Sequence, residues 1–288
     1  MAELQNAGER AVAIRERVES VREWIQRPAM LAELEKALPQ NSMAPIRLAR
    51  IVMNEVQRTP RLAECTSQSF AGALMTCAQM ALEPGPAGLC FLIPRRNSRN
   101  NNAMEVNWQI GYKGLIQLAH RSPKVAGVHA NIVHEGDFFD WEEGTTPFIK
   151  HRPADEPSEE WTHGWAAITT VTGGHITKVM PKAAILKVRE RYSESWKNQR
   201  ARAYSPWTTN EEEMALKTVL IRAMKLAPIS YELAYAINLD ERATNGVAQE
   251  IEIDVPDTDD DAIDWDSVAA GIADPQEEPE VSQEVEDD

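Results

Sequence analysis

Cysteine is scarce: Cys65, Cys77 and Cys90 are the only three in 288 residues. None sits at CxxC spacing and three thiols cannot all pair. The expectation is buried thiols in a reducing cytoplasm, with neither a disulfide framework nor a zinc site. No run of 18 apolar residues occurs, so no membrane-spanning helix is expected. The opening "MAELQNAGERAVAIRERVES" is charged where a secretion signal needs an apolar core, and no such signal is expected there. HExxH, GxSxG and GxGxxG are all missing, and the six histidines lack ligand spacing. "DTDDDAIDWD" resembles a calcium loop, but Ala262 stands where that loop requires glycine. No cofactor and no metal are expected.

Basic residues disappear after Arg242. Residues 243–288 hold 17 acids and no Lys or Arg, whereas residues 1–242 hold 28 acids against 30 bases. The formal charge of −15 therefore belongs to one terminal stretch. The body is near neutral, and its overall pI does not argue against a polyanion partner.

The body divides by period. Ile14, Val18, Val21 and Ile25 mark an amphipathic helix within 9–38, broken at Pro28 and Pro39. Further helices are expected over 44–58 and 67–82. The period then changes in "GLCFLIP" (88–94) and "AMEVNWQIGY" (103–112), two β-rich runs joined by the loop "RRNSRNNN". A short helix over 114–121 follows, with strands near 125–134, 147–151 and 161–171. Gly173-Gly174 marks a hairpin turn. Helices return over 181–192, 210–227 and 229–238. The pattern is α+β: a mainly antiparallel sheet with flanking helices, and a disordered acidic tail.

"QIGYKGLIQLAHRS" (109–122) invites a phosphate-loop reading because Gly111 and Gly114 bracket Lys113. A Walker A loop needs four residues between its first glycine and Gly-Lys-Ser/Thr, and no Ser or Thr follows Lys113. A strand, a tight turn and a helix remain, with Lys113 at the turn and Arg121 about 12 Å further along. By themselves these are two cations as easily solvated as functional.

Their surroundings favour a polyanion groove. Six Lys/Arg face one acid between Arg95 and Lys124, and seven face two between Lys182 and Arg202. In helix 210–227, Leu216, Val219, Leu220, Ala223 and Ala227 share one face. Lys217, Arg222 and Lys225 share the other with Met214, Thr218 and Ile221. Such clusters in a near-neutral body are an electrostatic footprint for nucleic acid. Trp108, Tyr112, Trp196, Tyr204 and Trp207 are interleaved with them as stacking candidates, although core packing is an equal role for each singly.

At these residues the chain resembles the RecT family of phage-type recombinases. The resemblance rests on "GLCFLIP", "QIGYKGLIQLAHRS", "GDFFDWEEG", His151-Arg152-Pro153, "SPW" at 205–207 and "EEEMALKTVLIRAMKLAPIS" at 211–230, in that order. It covers roughly 43–241, and Pro123 departs from a glycine common in the family. The resemblance implies an ATP-independent, non-enzymatic protein that coats single-stranded DNA as a ring or helical filament and anneals it to a complementary strand. It also implies a partner exonuclease.

The expected organisation is an N-terminal helical segment (1–42) for oligomer contact or for capping its own core, a DNA-binding and annealing core (43–242), and an acidic tail (243–288). Expected phosphate contacts are Arg95, Arg96, Lys113, Arg121, Lys197, Arg200, Arg202, Lys217, Arg222 and Lys225. Substituting Lys113 or Arg121 is expected to weaken DNA binding without unfolding. Trp108, Tyr112 and Trp207 are the stacking candidates. In the tail, Ile263, Trp265, Val268 and Ile272 punctuate the acids as a partner-binding segment, for the exonuclease or a host single-strand-binding protein. The tail could equally compete with DNA for the groove or serve only solubility. Two other readings remain: a metal-dependent nuclease, which needs carboxylates beside the groove, and a protein that protects single strands without annealing them.

Overall fold

The computed structural model describes residues 2–97, 100–156, 158–245, 247 and 249. Helix α1 (Ala2–Gln26) ends before Pro28, which opens α2 (Pro28–Ala37) as its first residue. Proline is tolerated there because a first-turn N–H has no intrahelical partner to lose. Pro45 opens α3 (Pro45–Arg58) in the same way, and Leu48, Ala49, Val52, Met53 and Val56 form its buried stripe. The Thr66 hydroxyl accepts from Ser69 N and caps α4 (Ser67–Met80), which ends in a left-handed Ala81. Val21, Ile25, Met30 and Leu34 of the first two helices lie in the same hydrophobic cluster as Leu74, Leu115 and Leu220. The C-terminal part of α1 and α2 thus cap their own chain's core. Each such fully buried aliphatic contributes about 1.5–3 kcal/mol relative to exposure.

Strands β1 (Cys90–Asn97) and β2 (Ala103–Ile110) form an antiparallel hairpin running from Cys90↔Ile110 to Asn97↔Ala103. Met104, Val106, Trp108 and Ile110 alternate inward along β2, as one buried face requires. The outer edge of β2 is satisfied without another strand. Met104 O accepts from Thr66 N at 2.9 Å, and Val106 N donates to Ser69 Oγ at 3.0 Å. Trp108 N donates to Gln249 Oε1 at 2.8 Å, while Gln249 Nε2 donates to Trp108 O at 2.6 Å and Leu239 O at 2.8 Å. The Gln249 carboxamide thus imitates one peptide unit of a neighbouring strand. The fold therefore includes residues beyond the expected boundary at 242.

Helix α5 (Tyr112–His120) leads to β3 (Val125–His134), then to a hairpin of β4 (Phe138–Glu142) and β5 (Phe148–Arg152). Strands β6 (Trp161–Thr170) and β7 (His175–Pro181) complete an antiparallel sheet of order β3-β6-β7. Helix α6 (Lys182–Tyr192) and the single turns α7 (Glu194–Lys197) and α8 (Pro206–Thr209) follow. Then come α9 (Glu211–Met224), packed on all three strands of that sheet, and α10 (Tyr231–Thr244), packed on β2. The fold is α+β, and among the described residues the strands pair antiparallel but form three separate sheets.

Strand β4 was not expected, because acids and aromatics blur its alternation. It is held from beneath by a buried network. Asp137 accepts from the amides of His134 and Ala154, both at 2.8 Å, and from His151 Nε2–H at 2.9 Å. Trp165 Nε1–H donates to His151 Nδ1 at 3.0 Å, which fixes the imidazole tautomer. Burial alone would raise the Asp137 carboxyl. The two amides and the imidazole outweigh it and hold the group down at about 2.

Candidate nucleic-acid interface

The Gly-Tyr-Lys-Gly turn is an interlock before it is anything else. Gly111 N donates to Leu89 O at 2.8 Å. A Cβ on Gly111 would lie 2.0 Å from Gly88 O, and one on Gly114 would lie 2.1 Å from Leu89 O. Only glycine lets the 88–91 backbone approach this closely. The consequence is a fixed surface. Lys113 stands exposed in the first turn of α5, its ammonium 5.9 Å from the Tyr112 ring centre. The exposed Phe91 ring lies 3.2 Å from where a Gly111 Cβ would be. Phe91 was missed in the sequence, where "GLCFLIP" reads as an ordinary β run.

Arg121 does a different job. Its guanidinium donates to Met80 O, and to Ala81 O at 3.1 Å, closing the C-terminus of α4. Partial burial lowers its pKa, with Glu232 opposing. It remains charged but is committed to carbonyls that a helix end leaves unsatisfied. Arg95 is similar: mostly buried, it donates to Ala243 O at the end of α10. Both expected phosphate contacts are thus engaged with helix-end carbonyls in this structure. Trp108 is fully buried and Trp207 is 5% exposed. Neither offers a ring face to a base, because strand alternation and the α8 turn place them in the core.

The basic face of α9 does line one cavity. A cavity of about 300 Å³ opens between α6, α9 and α10. Lys217, Arg222 and Lys225 line it beside Met214, Thr218 and Ile221, the mixed face expected from the sequence, with Tyr192 at its rim. The buried face of α9 is Ala215, Val219, Leu220, Ala223 and Met224, one residue out of phase with expectation. The cations differ in availability. Lys217 is mostly buried and pairs with the buried Asp240 at 2.6 Å, while Lys225 is half exposed and pairs with Glu241. Arg222 is exposed and has no carboxylate partner among the described residues.

After α6, the Trp196 ring is approached by two guanidinium groups, Arg189 at 3.7 Å and Arg202 at 4.8 Å from its centre. Arg202 also donates to Trp196 O at 2.8 Å. Lys197 pairs with Glu194 at 2.7 Å, an exposed pair of little energetic weight. Arg200 is exposed without an ion pair among the described residues, and Tyr204 is 86% exposed. Arg96 is exposed and donates to Asn102 O at 3.3 Å. Arg99 and the partner-binding candidates Ile263, Trp265, Val268 and Ile272 lie outside the described residues.

Lys113 does not line that cavity. Tyr112 lines a separate groove with Glu159, Glu160, Glu211, Glu212 and Glu213. Carboxylates thus gather on the body, although none stood out in the sequence. Three of them are engaged: Glu211 with Arg189 and the Trp161 indole, Glu160 with Lys182, and Glu212 with His134. Among the described residues no three His, Cys, Asp or Glu side chains are grouped to hold a metal ion. Nor, among them, is any helix long and apolar enough to cross a membrane.

The chain is similar to known proteins. The chain is 37% identical over 222 residues to Protein RecT of Escherichia coli K12, spanning 76% of this chain and 79% of that protein. It is 30% identical over 140 residues to the uncharacterised protein YqaK of Bacillus subtilis 168, spanning 46% of this chain and 44% of that one. The RecT family model matches residues 47–257. From this match over most of its length, the chain belongs to the RecT family, proteins of DNA recombination that bind and anneal single strands.

Proposed function

We propose that this protein coats single-stranded DNA as a homo-oligomer and promotes its pairing with a complementary strand without ATP, in the cytoplasm of a bacterial or phage-infected cell. The observation that carries the reading is the mixed basic and apolar face of α9, where Lys217, Arg222 and Lys225 line one cavity with Met214, Thr218 and Ile221. Arg200, Arg222 and Lys113 are the first phosphate contacts, since among the described residues no carboxylate pairs with them. Lys197 and Lys225 exchange exposed carboxylate partners for phosphate at small cost. Lys217 contributes chiefly by holding α10 against α9 through Asp240.

Annealing needs no covalent step. Phosphate neutralisation lowers the repulsion between strands, and base pairing drives the reaction. A partner exonuclease supplies the single strand, and the acidic tail contacts that enzyme or a host single-strand-binding protein. Fluorescently labelled complementary oligonucleotides mixed without nucleotide test the reading. Pairing should accelerate with protein, and strands should stay intact in Mg²⁺. Cleavage would favour a nuclease; binding without acceleration would leave only a protective coat.

A further inference from the structure

On α10, Tyr231, Tyr235, Asn238 and Arg242 fall at i, i+4, i+7 and i+11, one face of the helix. Tyr231 is 81% exposed, and Asn238 is exposed as well. The two tyrosine rings lie within 4° of parallel with centres 6.3 Å apart. Burial and the neighbouring Tyr231 raise the Tyr235 phenol, while the Arg242 charge is near enough to lower it. The carboxylates of α10 lie off this face: Asp240 and Glu241 line the cavity, and Glu232 faces Arg121. Tyr231 is an aromatic ring facing water, while Tyr235 beside it is partly buried against the core and holds the stacked pair in place.

We propose that this face of α10 is a base-stacking track for single-stranded DNA, on the helix whose other side lines the phosphate-gripping cavity. The inference rests on the DNA-binding reading above and adds where the bases lie. Proximity supports it, because other faces of the same helix line the cavity through Asp240, Glu241 and Thr244. Chemistry supports it as well. Parallel rings accept any base through its π-face, Asn238 offers an amide to base edges, and Arg242 carries a positive charge at the cavity end. The occupant is thus an unpaired strand, whose bases are free to stack as duplex bases are not.

The test compares the full-length protein with a Tyr231→Ala/Tyr235→Ala variant and a Tyr231→Phe/Tyr235→Phe control. The probes are oligothymidylate and an abasic deoxyribose-phosphate oligomer of equal length. The alanine variant should lose about tenfold in affinity for oligothymidylate, the scale of one lost stacking contact. Its affinity for the abasic strand should be unchanged, and the phenylalanine control should match the parent on both. Photo-cross-linking of 5-iodouracil-substituted strands should place a base on Tyr231. Equal affinity of alanine variant and parent for oligothymidylate would overturn the track. So would a change in sedimentation with monomer affinity intact, which would assign the face to protomer contact. Loss of binding in Arg200→Ala and Arg222→Ala tests the cavity separately, so the two readings fail independently.

Discussion

Replacing Arg121 by alanine separates a capping role from a DNA-contact role. Two hydrogen bonds from a charged donor to backbone carbonyls of Met80 and Ala81 are lost. Bonds to charged groups contribute about 1.5–3 kcal/mol each. The guanidinium is only part-buried, so water replaces part of that interaction, and the expected cost is about 2 kcal/mol in all. For a body of this size that corresponds to a fall in Tm of roughly 4–8 °C. Urea unfolding followed by tryptophan fluorescence measures the loss. Fluorescence anisotropy with oligothymidylate at 10 °C, where the variant is still folded, measures binding. Binding should fall by less than about twofold. The companion Lys113→Ala should leave stability within about 0.5 kcal/mol and reduce the log–log salt slope of binding by about 0.7. Unchanged stability with abolished binding in Arg121→Ala would refute the capping argument and return Arg121 to the DNA site.

Asp137→Asn should destabilise the β4–β5 hairpin and weaken the acid response of the parent. The folded carboxyl sits at about 2, below its ordinary value near 3.8. Its contribution is therefore present above pH 4 and is lost as pH falls from about 4 toward 2, a window that circular dichroism at stepped pH should reveal and that should vanish in the variant. Gln249→Ala leaves the buried Trp108 amide unpaired, and its expected cost is about 1–3 kcal/mol in denaturant unfolding. Hydrogen exchange should quicken first along β2, and unchanged protection there would contradict the edge-cover role. Removing residues 251–288 retains Gln249 and should raise single-strand affinity at low salt, with the gain disappearing at high salt if the tail competes with DNA. A salt-independent gain would point away from competition.

Much of the fold was written in local pattern. The amphipathic spacing of α3 and the proline starts were legible, as were the alternation of β2 and the change of period after residue 88. The alternation of Met104, Val106, Trp108 and Ile110 already marked Trp108 as core rather than a stacking ring. The mixed face of α9 was also legible, because Lys217, Arg222 and Lys225 share a helical phase with Met214 and Ile221. What could not be read were long-range satisfactions. Charge count makes Arg95 and Arg121 look available, yet carbonyls of Ala243, Met80 and Ala81 occupy them across the fold. Gly111 and Gly114 looked like a presenting turn, but their spacing answers to a backbone more than twenty residues earlier. The aromatic face of α10 is not legible in a helix that ends at 238, because Arg242 then lies beyond it.

The central claim is that this surface brings complementary strands together without a nucleotide-driven or covalent step. Stopped-flow pairing of dye-labelled complementary strands, with no ATP present, tests it most directly. The account predicts faster pairing by the full-length protein, reduced by Arg200→Ala/Arg222→Ala and by high salt in parallel with binding. Tight single-strand binding with no acceleration of pairing would contradict it.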